Sequence, residues 1–262
     1  MNRRSFLIAA GGLLAAPAFA LGEAGGLTLG AAINKAGRQR MLSQRMAKAY
    51  AMQSAGVMPE RAAQLLDSSR RLFEAQLSEL KGLAPTAEIQ GALLTLDTVW
   101  RLYREVLSRP PAPESSRLVL AESDNTLRAA HVLTGLYEKQ TAGPAGRLVN
   151  LSGRQRMLSQ RMAKCFLFER SGIGSGSLKA EMELARSEFV AALAELNASP
   201  ANNAAIRTEL ELANTQWLFF EQALNGREPV REIAARNVAT TSERILEVMD
   251  SLTGRYESLV RG

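Results

Sequence analysis

Twelve consecutive residues occur twice in this chain without a change, Gly37 to Lys48 and Gly153 to Lys164 both reading GRQRMLSQRMAK, 116 positions apart. A repeat of that fidelity requires two similar structural units and marks the stretch where both keep the same chemistry. The flanks agree as well. Asn34 is mirrored by Asn150 and Gly56-Val57 by Gly172-Ile173, while Trp100 and Trp217 sit at comparable depth and Tyr137-Glu138 is answered by Tyr256-Glu257. The fold is duplicated loosely and the motif tightly.

Ala, Leu, Arg and Glu are the commonest residues, aromatic residues make up 5% of the chain, and no alternating strand pattern stands out. That is the composition of long helices. Breakers divide the chain into eight helical segments. The first runs from about Ala31 to Ala55, the second from Pro59 to about Lys81, the third from about Thr86 to Ser108 and the fourth from about Glu114 to Thr141. Gly143-Pro144-Ala145-Gly146 separates the halves, and the order repeats: a motif helix to about Ser171, a helix to about Ala198, one introduced by Pro200, and a last one opened by Pro229 and reaching about Val260. Short loops between four helices predict an up-and-down antiparallel bundle. The expected fold is all-α, two tandem four-helix bundles over 28–141 and 147–262. Because the fourth helix of such a bundle ends where the first began, a short linker at 142–146 delivers the second motif helix beside the first, parallel to it, across a pseudo-twofold axis.

The first 20 residues read as a signal peptide. Arg3-Arg4-Ser5-Phe6-Leu7 is a twin-arginine pattern, followed by an apolar stretch and Ala18-Phe19-Ala20. An uncleaved anchor is the alternative, although the apolar run, broken by two glycines and a proline, is shorter than the roughly 20 residues a bilayer needs. Export to the periplasm without a membrane span after cleavage is the expectation. Loss of Arg3 and Arg4 leaves 30 basic against 26 acidic residues, a net charge of about +4. That excess is no nucleic-acid footprint and suits anionic ligands or acidic partners better. Cys165 is the only cysteine, which excludes an intrachain disulfide.

At ~100° per residue, Leu42, Met46 and Ala49 fall on one stripe of the motif helix. Ile33, Gly37, Arg40, Gln44 and Ala47 fall on the opposite one, whose small residues allow close approach of another helix. Arg40 facing Arg156 across the axis would be costly unless an anion lay between them. Arginine suits that role because its planar fork donates paired hydrogen bonds and keeps its charge when buried. From Asn34 to Gln53 there is no Asp or Glu, so Lys35, Arg38, Arg40, Arg45 and Lys48 must find counterions on other helices or in a ligand.

The segment Ala32-Ile33-Asn34-Lys35-Ala36-Gly37-Arg38-Gln39-Arg40-Met41-Leu42-Ser43-Gln44-Arg45 resembles the first-helix signature of the NarX/NarQ nitrate sensor domains and of the N-terminal domain of PilJ-type, type IV pilus methyl-accepting transducers. The resemblance implies a periplasmic four-helix bundle whose anion sits between two first helices, held by the arginine of the Arg-Met pair. Carried over by position, that arginine is Arg40, and Arg156 in the second copy. The later family arginine falls on Arg45 and Arg161. Gln44 and Gln160 stand where the nitrate sensors have tyrosine, and Arg38 and Arg154 add charge, features that lean to the PilJ-type branch. No transmembrane hairpin, kinase or methyl-accepting region is recognisable.

The resulting expectation is a non-enzymatic sensory protein with no cofactor and no metal site. Arg40 and Arg156 hold a small oxyanion, nitrate or nitrite first. Arg38, Arg154, Arg45, Arg161, Gly37, Gly153, Asn34, Asn150, Gln44 and Gln160 surround it, and a membrane-bound sensor or transducer reads the change. A monomer with an internal pseudo-dimer suffices, without excluding weak association. The rival is a helical scaffold docking a transducer, a pilus-related assembly or a redox partner, its arginines paired with neighbouring acids. His131, the only histidine, reads as a packed or half-exposed neutral imidazole. Cys165, Trp100, Trp217 and the set Met41, Met46, Met52, Met157 and Met162 read as core.

Overall fold

A computed structural model describes residues 27–174, 176–225 and 228–260. Residues 1–20, read above as a signal peptide, lie outside the described residues. Eight helices and no strand occur among those described: α1 (Leu29–Ser54), α2 (Pro59–Lys81), α3 (Ala87–Leu107), α4 (Pro113–Glu138), α5 (Ala145–Arg170), α6 (Ser177–Ala198), α7 (Ala204–Leu224) and α8 (Arg231–Val260). None of them is long and apolar enough to cross a membrane.

Local chemistry sets the boundaries. Thr28, Thr86 and Asn203 cap α1, α3 and α7 by accepting from Ala31, Ile89 and Ile206 backbone N–H groups, which places the start of α7 at Ala204 rather than at Pro200. Pro59 and Pro113 occupy first helical positions, where a missing N–H costs nothing. Both motif helices stop the same way. Gly56 and Gly172 take φ +67° and +70°, and Val57 and Ile173 N–H donate back to Met52 and Phe168 carbonyls at 2.9 and 3.2 Å, the six-residue closure that left-handed glycine permits. The separator between halves is shorter than its Gly-Pro-Ala-Gly composition suggests. Helix α5 already begins at Ala145, with Gly146 in its first turn, where a Cβ would come within 2.0 Å of Thr141 Oγ1.

Within each half the motif helix packs on the second and fourth helices, and the third on the fourth. Aromatic stacks tie the remaining pair together. Phe73 of α2 stacks on Trp100 of α3 at 4.2 Å, with Tyr103 edge-on, and Phe189, Trp217 and Phe220 repeat the arrangement with the stack at 4.4 Å. The five methionines and Cys165 are buried in the core, where burial pushes the Cys165 thiol up to about 12.

The most extensive contact in the molecule joins the halves: α1 lies along α5, with α4 and α8 on its flanks. Direction follows from ion pairs. Arg38 and Arg45 of α1 meet Asp250 and Glu243 of α8, so the two helices are antiparallel, and Arg156 of α5 meets the same Asp250. Gln160, one turn later, reaches back along α8 to the Ser242 carbonyl at 2.8 Å. Helices α1 and α5 are therefore parallel to one another, related by a pseudo-twofold axis.

Candidate functional site

The acid-free motif puts several cations into the interior, and the fold answers all but one with acids from other helices, half of them in the opposite half. Lys48, fully buried, donates to Glu243 Oε1 at 2.5 Å and Ser242 Oγ at 3.1 Å, both on α8. Its counterpart Lys164, equally buried, donates to Asp124 Oδ1 of α4 at 2.8 Å. These crossed pairs latch each motif helix to the fourth helix of the opposite half. Burial opposes ionisation of Glu243, but Lys48 and then Arg45 outweigh it and hold the carboxyl down at about 2. Burial wins at Lys48, pushed down to about 8. Elsewhere Lys35 pairs with Glu79, Arg38 with Asp250, Arg154 with Glu188 and Arg161 with Glu181.

Arg40 and Arg156 lie at the centre of the seam, both 0% exposed. Each guanidinium covers a glycine: a Cβ at Gly37 would stand 3.1 Å from Arg40 Nη2 and 3.7 Å from Arg156 Nη2, and the same distances recur, exchanged, at Gly153. Both terminal nitrogens thus lie within 3.7 Å of a single point. Each arginine also reaches across the seam to a backbone carbonyl, Arg40 to Asn150 at 3.3 Å and Arg156 to Asn34 at 3.2 Å. The asparagine amides donate to Glu138 and Glu257 respectively.

Beside the central arginines the two halves differ in residue type at one position. Helices α4 and α8 share the register set by Tyr137-Glu138 and Tyr256-Glu257, and six residues before each tyrosine stand His131 and Asp250. Asp250 accepts from Arg156 Nη1, and its Oδ1 also accepts from Arg38 Nη2 at 2.7 Å and Nε at 3.3 Å. Arg40 Nη1 instead meets His131 Nδ1 at 3.3 Å, and its Nη2 meets Asn150 Oδ1 at 2.8 Å. An arginine only donates, so His131 Nδ1 accepts and the imidazole is neutral with its proton on Nε2. Among the described residues no carboxylate forms an ion pair or hydrogen bond with Arg40, alone among the motif cations. Burial, then Arg156 and Arg154, push Arg40 down to about 9; Arg156 is held at about 10 because Asp250 offsets part of its burial. Arginine keeps its proton in proteins, so the unmet charge favours an anion rather than deprotonation. Arg40 Nε and Arg156 Nε are buried without partners.

Of the surrounding residues named from the sequence, the structure brings Gly37, Gly153, Asn34 and Asn150 against the arginine pair. Gln44 and Gln160 turn to the Ser123 and Ser242 carbonyls on the fourth helix of their own bundles, at 3.1 and 2.8 Å, rather than to the arginine pair. Arg45 and Arg161 are taken up by Glu243 and Glu181. His131 and Asp250 were not among the site residues; their signal is the shared Tyr-Glu register. A cleft of about 490 Å³ lies elsewhere, between the C-terminal ends of α1 and α5, lined by Ser54, Gly56, Arg170, Ser171 and Arg231.

Comparison with known proteins agrees with the architecture. The model of the PilJ family, described as the type IV pili methyl-accepting chemotaxis transducer N-terminal domain, matches twice, over residues 27–127 and 140–247. No curated protein and no solved structure matches. The two matches span most of the chain, and it belongs to this PilJ family, a non-catalytic family of sensory domains in signal transduction.

Proposed function

We propose that this PilJ-family chain, organised as two units over 28–141 and 147–262, is an exported sensory module that binds a small oxyanion, nitrate or nitrite first, at the α1–α5 seam. Arg40 and Arg156 supply the positive charge there, and Arg40 is the binding arginine, since Arg156 already has Asp250. The carrying observation is Arg40: fully buried, flanked by a second buried guanidinium, and met by neutral acceptors alone among the described residues. An anion there removes the repulsion between Arg40 and Arg156 and tightens α1 against α5. Because Lys48 and Lys164 latch these helices to α8 and α4, a change at the seam reaches the fourth helix of each half, where a membrane-bound transducer can read it. The periplasm is the proposed location, on the strength of the twin-arginine pattern.

Thermal unfolding in a low-salt buffer tests the reading. Nitrate or nitrite at 100 times its dissociation constant stabilises by about 2.7 kcal/mol, a gain that Arg40→Gln removes. Equal melting temperatures of the wild type with and without these anions contradict it.

One observation favours a scaffold reading. Every motif cation except Arg40 has an acid partner on another helix, as a purely structural role for the repeat requires. Under that reading Arg40→Gln stabilises the fold and no anion changes it.

A further inference from the structure

The two halves place chemically different groups at one position, and the second half displays what the position accepts. There a carboxylate, Asp250, takes hydrogen bonds from Arg156 on its own side of the axis and from Arg38, reaching over from the other motif helix. The repeat puts Arg40 where Arg156 is, Arg154 where Arg38 is, and His131 where Asp250 is. With no carboxylate from α4, the counterparts of the three donors that Asp250 satisfies go elsewhere: Arg40 Nη1 to His131, Arg154 Nη2 to Glu188, and Arg154 Nε to nothing. Arg38 Nε donates to Asp250 at 3.3 Å, whereas its counterpart Arg154 Nε is buried without a partner. Arg154 is occupied at its outer end alone, through Nη2 to Glu188 at 2.8 Å. His131 is exposed, so the position communicates with solvent.

We infer that the oxyanion sits off the pseudo-twofold axis, one per chain, held by Arg40 and Arg154 beside His131 as the Asp250 carboxylate is held by Arg156 and Arg38. Asp250 is a built-in counter-anion that closes the second half to ligand. His131 is the residue that leaves the first half open: its neutral ring accepts weakly from Arg40 and gives way to a better acceptor. The template also sets the ligand class. A carboxylate is planar and singly charged, so formate, nitrate and nitrite fit, while a dianion such as sulfate meets Glu188 and Glu138, which lie near enough to act on His131.

This inference rests on anion binding at the seam and predicts which residues share it. Titrations of the mature protein with sodium nitrate, nitrite, formate and sulfate, by calorimetry and melting temperature in low-chloride buffer, compare the wild type with four variants. Arg154→Gln weakens the monoanions by about tenfold or more, the size of a lost charge-assisted hydrogen bond, whereas Arg38→Gln leaves affinity within about threefold. His131→Asp, at an exposed position, supplies Arg40 with its own carboxylate: melting rises by about 2–4 °C and the anion response disappears. Asp250→Asn raises the stoichiometry from one anion towards two. Equal losses in Arg154→Gln and Arg38→Gln, or an anion response that survives in His131→Asp, overturn the off-axis assignment while binding at the seam stands. A wild type silent to all four anions overturns the binding itself.

Discussion

The first and second halves repeat the same twelve residues, yet one arginine of the central pair is neutralised from within and the other is not. Arg156 has Asp250; Arg40 has His131. Two identical half-sites on the axis would present two unmet buried charges, and the fold would carry the cost of both. Neutralising one lowers that cost and leaves a single charge for an anion to meet. On the proposed reading, asymmetry at one position separates stability from recognition: the second half carries its own counter-charge, and the first half takes one from solution.

The crossed latches give the largest contrast. Glu243 is the carboxylate shared by Lys48 and Arg45 and is 6% exposed on its side chain. Glu243→Gln leaves Lys48 charged in the interior and costs about 3–5 kcal/mol. The mirror change Asp124→Asn costs less, about 1–2 kcal/mol, because Lys164 keeps Glu181 at 3.7 Å. Denaturant unfolding of both variants checks the order, and equal losses break the comparison.

Acid sharpens it. The Glu243 carboxyl is depressed from 4.5 to about 2, so its stabilisation is fully present above about pH 4.5 and drains away as pH falls towards 2. Stability measured between pH 5 and 2 falls through that window in the wild type, and the Glu243-dependent part is missing in Glu243→Gln.

At the seam the contrast is smaller. Asp250→Asn leaves Arg156 with neutral partners; with the Asp250 side chain 42% exposed, solvent screening trims the cost to about 2 kcal/mol. His131→Asn removes one neutral acceptor and shifts stability by about 0.5 kcal/mol or less. A His131→Asn loss as large as that of Asp250→Asn would show that the imidazole, too, is structural.

Much of this was legible in the sequence. Glycines and prolines marked the eight helices, and the repeat itself implied the pseudo-dyad that brings Gly37, Arg40, Gly153 and Arg156 together. The direction of Gln44 was not legible. Assigning stripes assumes a helix with a wet side, whereas α1 is enclosed by α2, α4, α5 and α8, and in that setting an amide turns to whichever carbonyl is free, here that of Ser123. The partners of the arginines were hidden for another reason. His131 and Asp250 are single residues about 90 positions from the arginines they meet, on helices whose halves have otherwise diverged, and only the Tyr-Glu register aligns them.

The central claim is that one half of the seam brings its own counter-anion and the other takes one from solution. Crystals grown in bromide, a monoanion with an anomalous signal, test it most directly. The account predicts one anomalous peak in the seam, beside the Arg40 guanidinium between Arg154 and His131. A peak on the axis shared equally by Arg40 and Arg156, paired peaks in both halves, or a seam without any peak would contradict it.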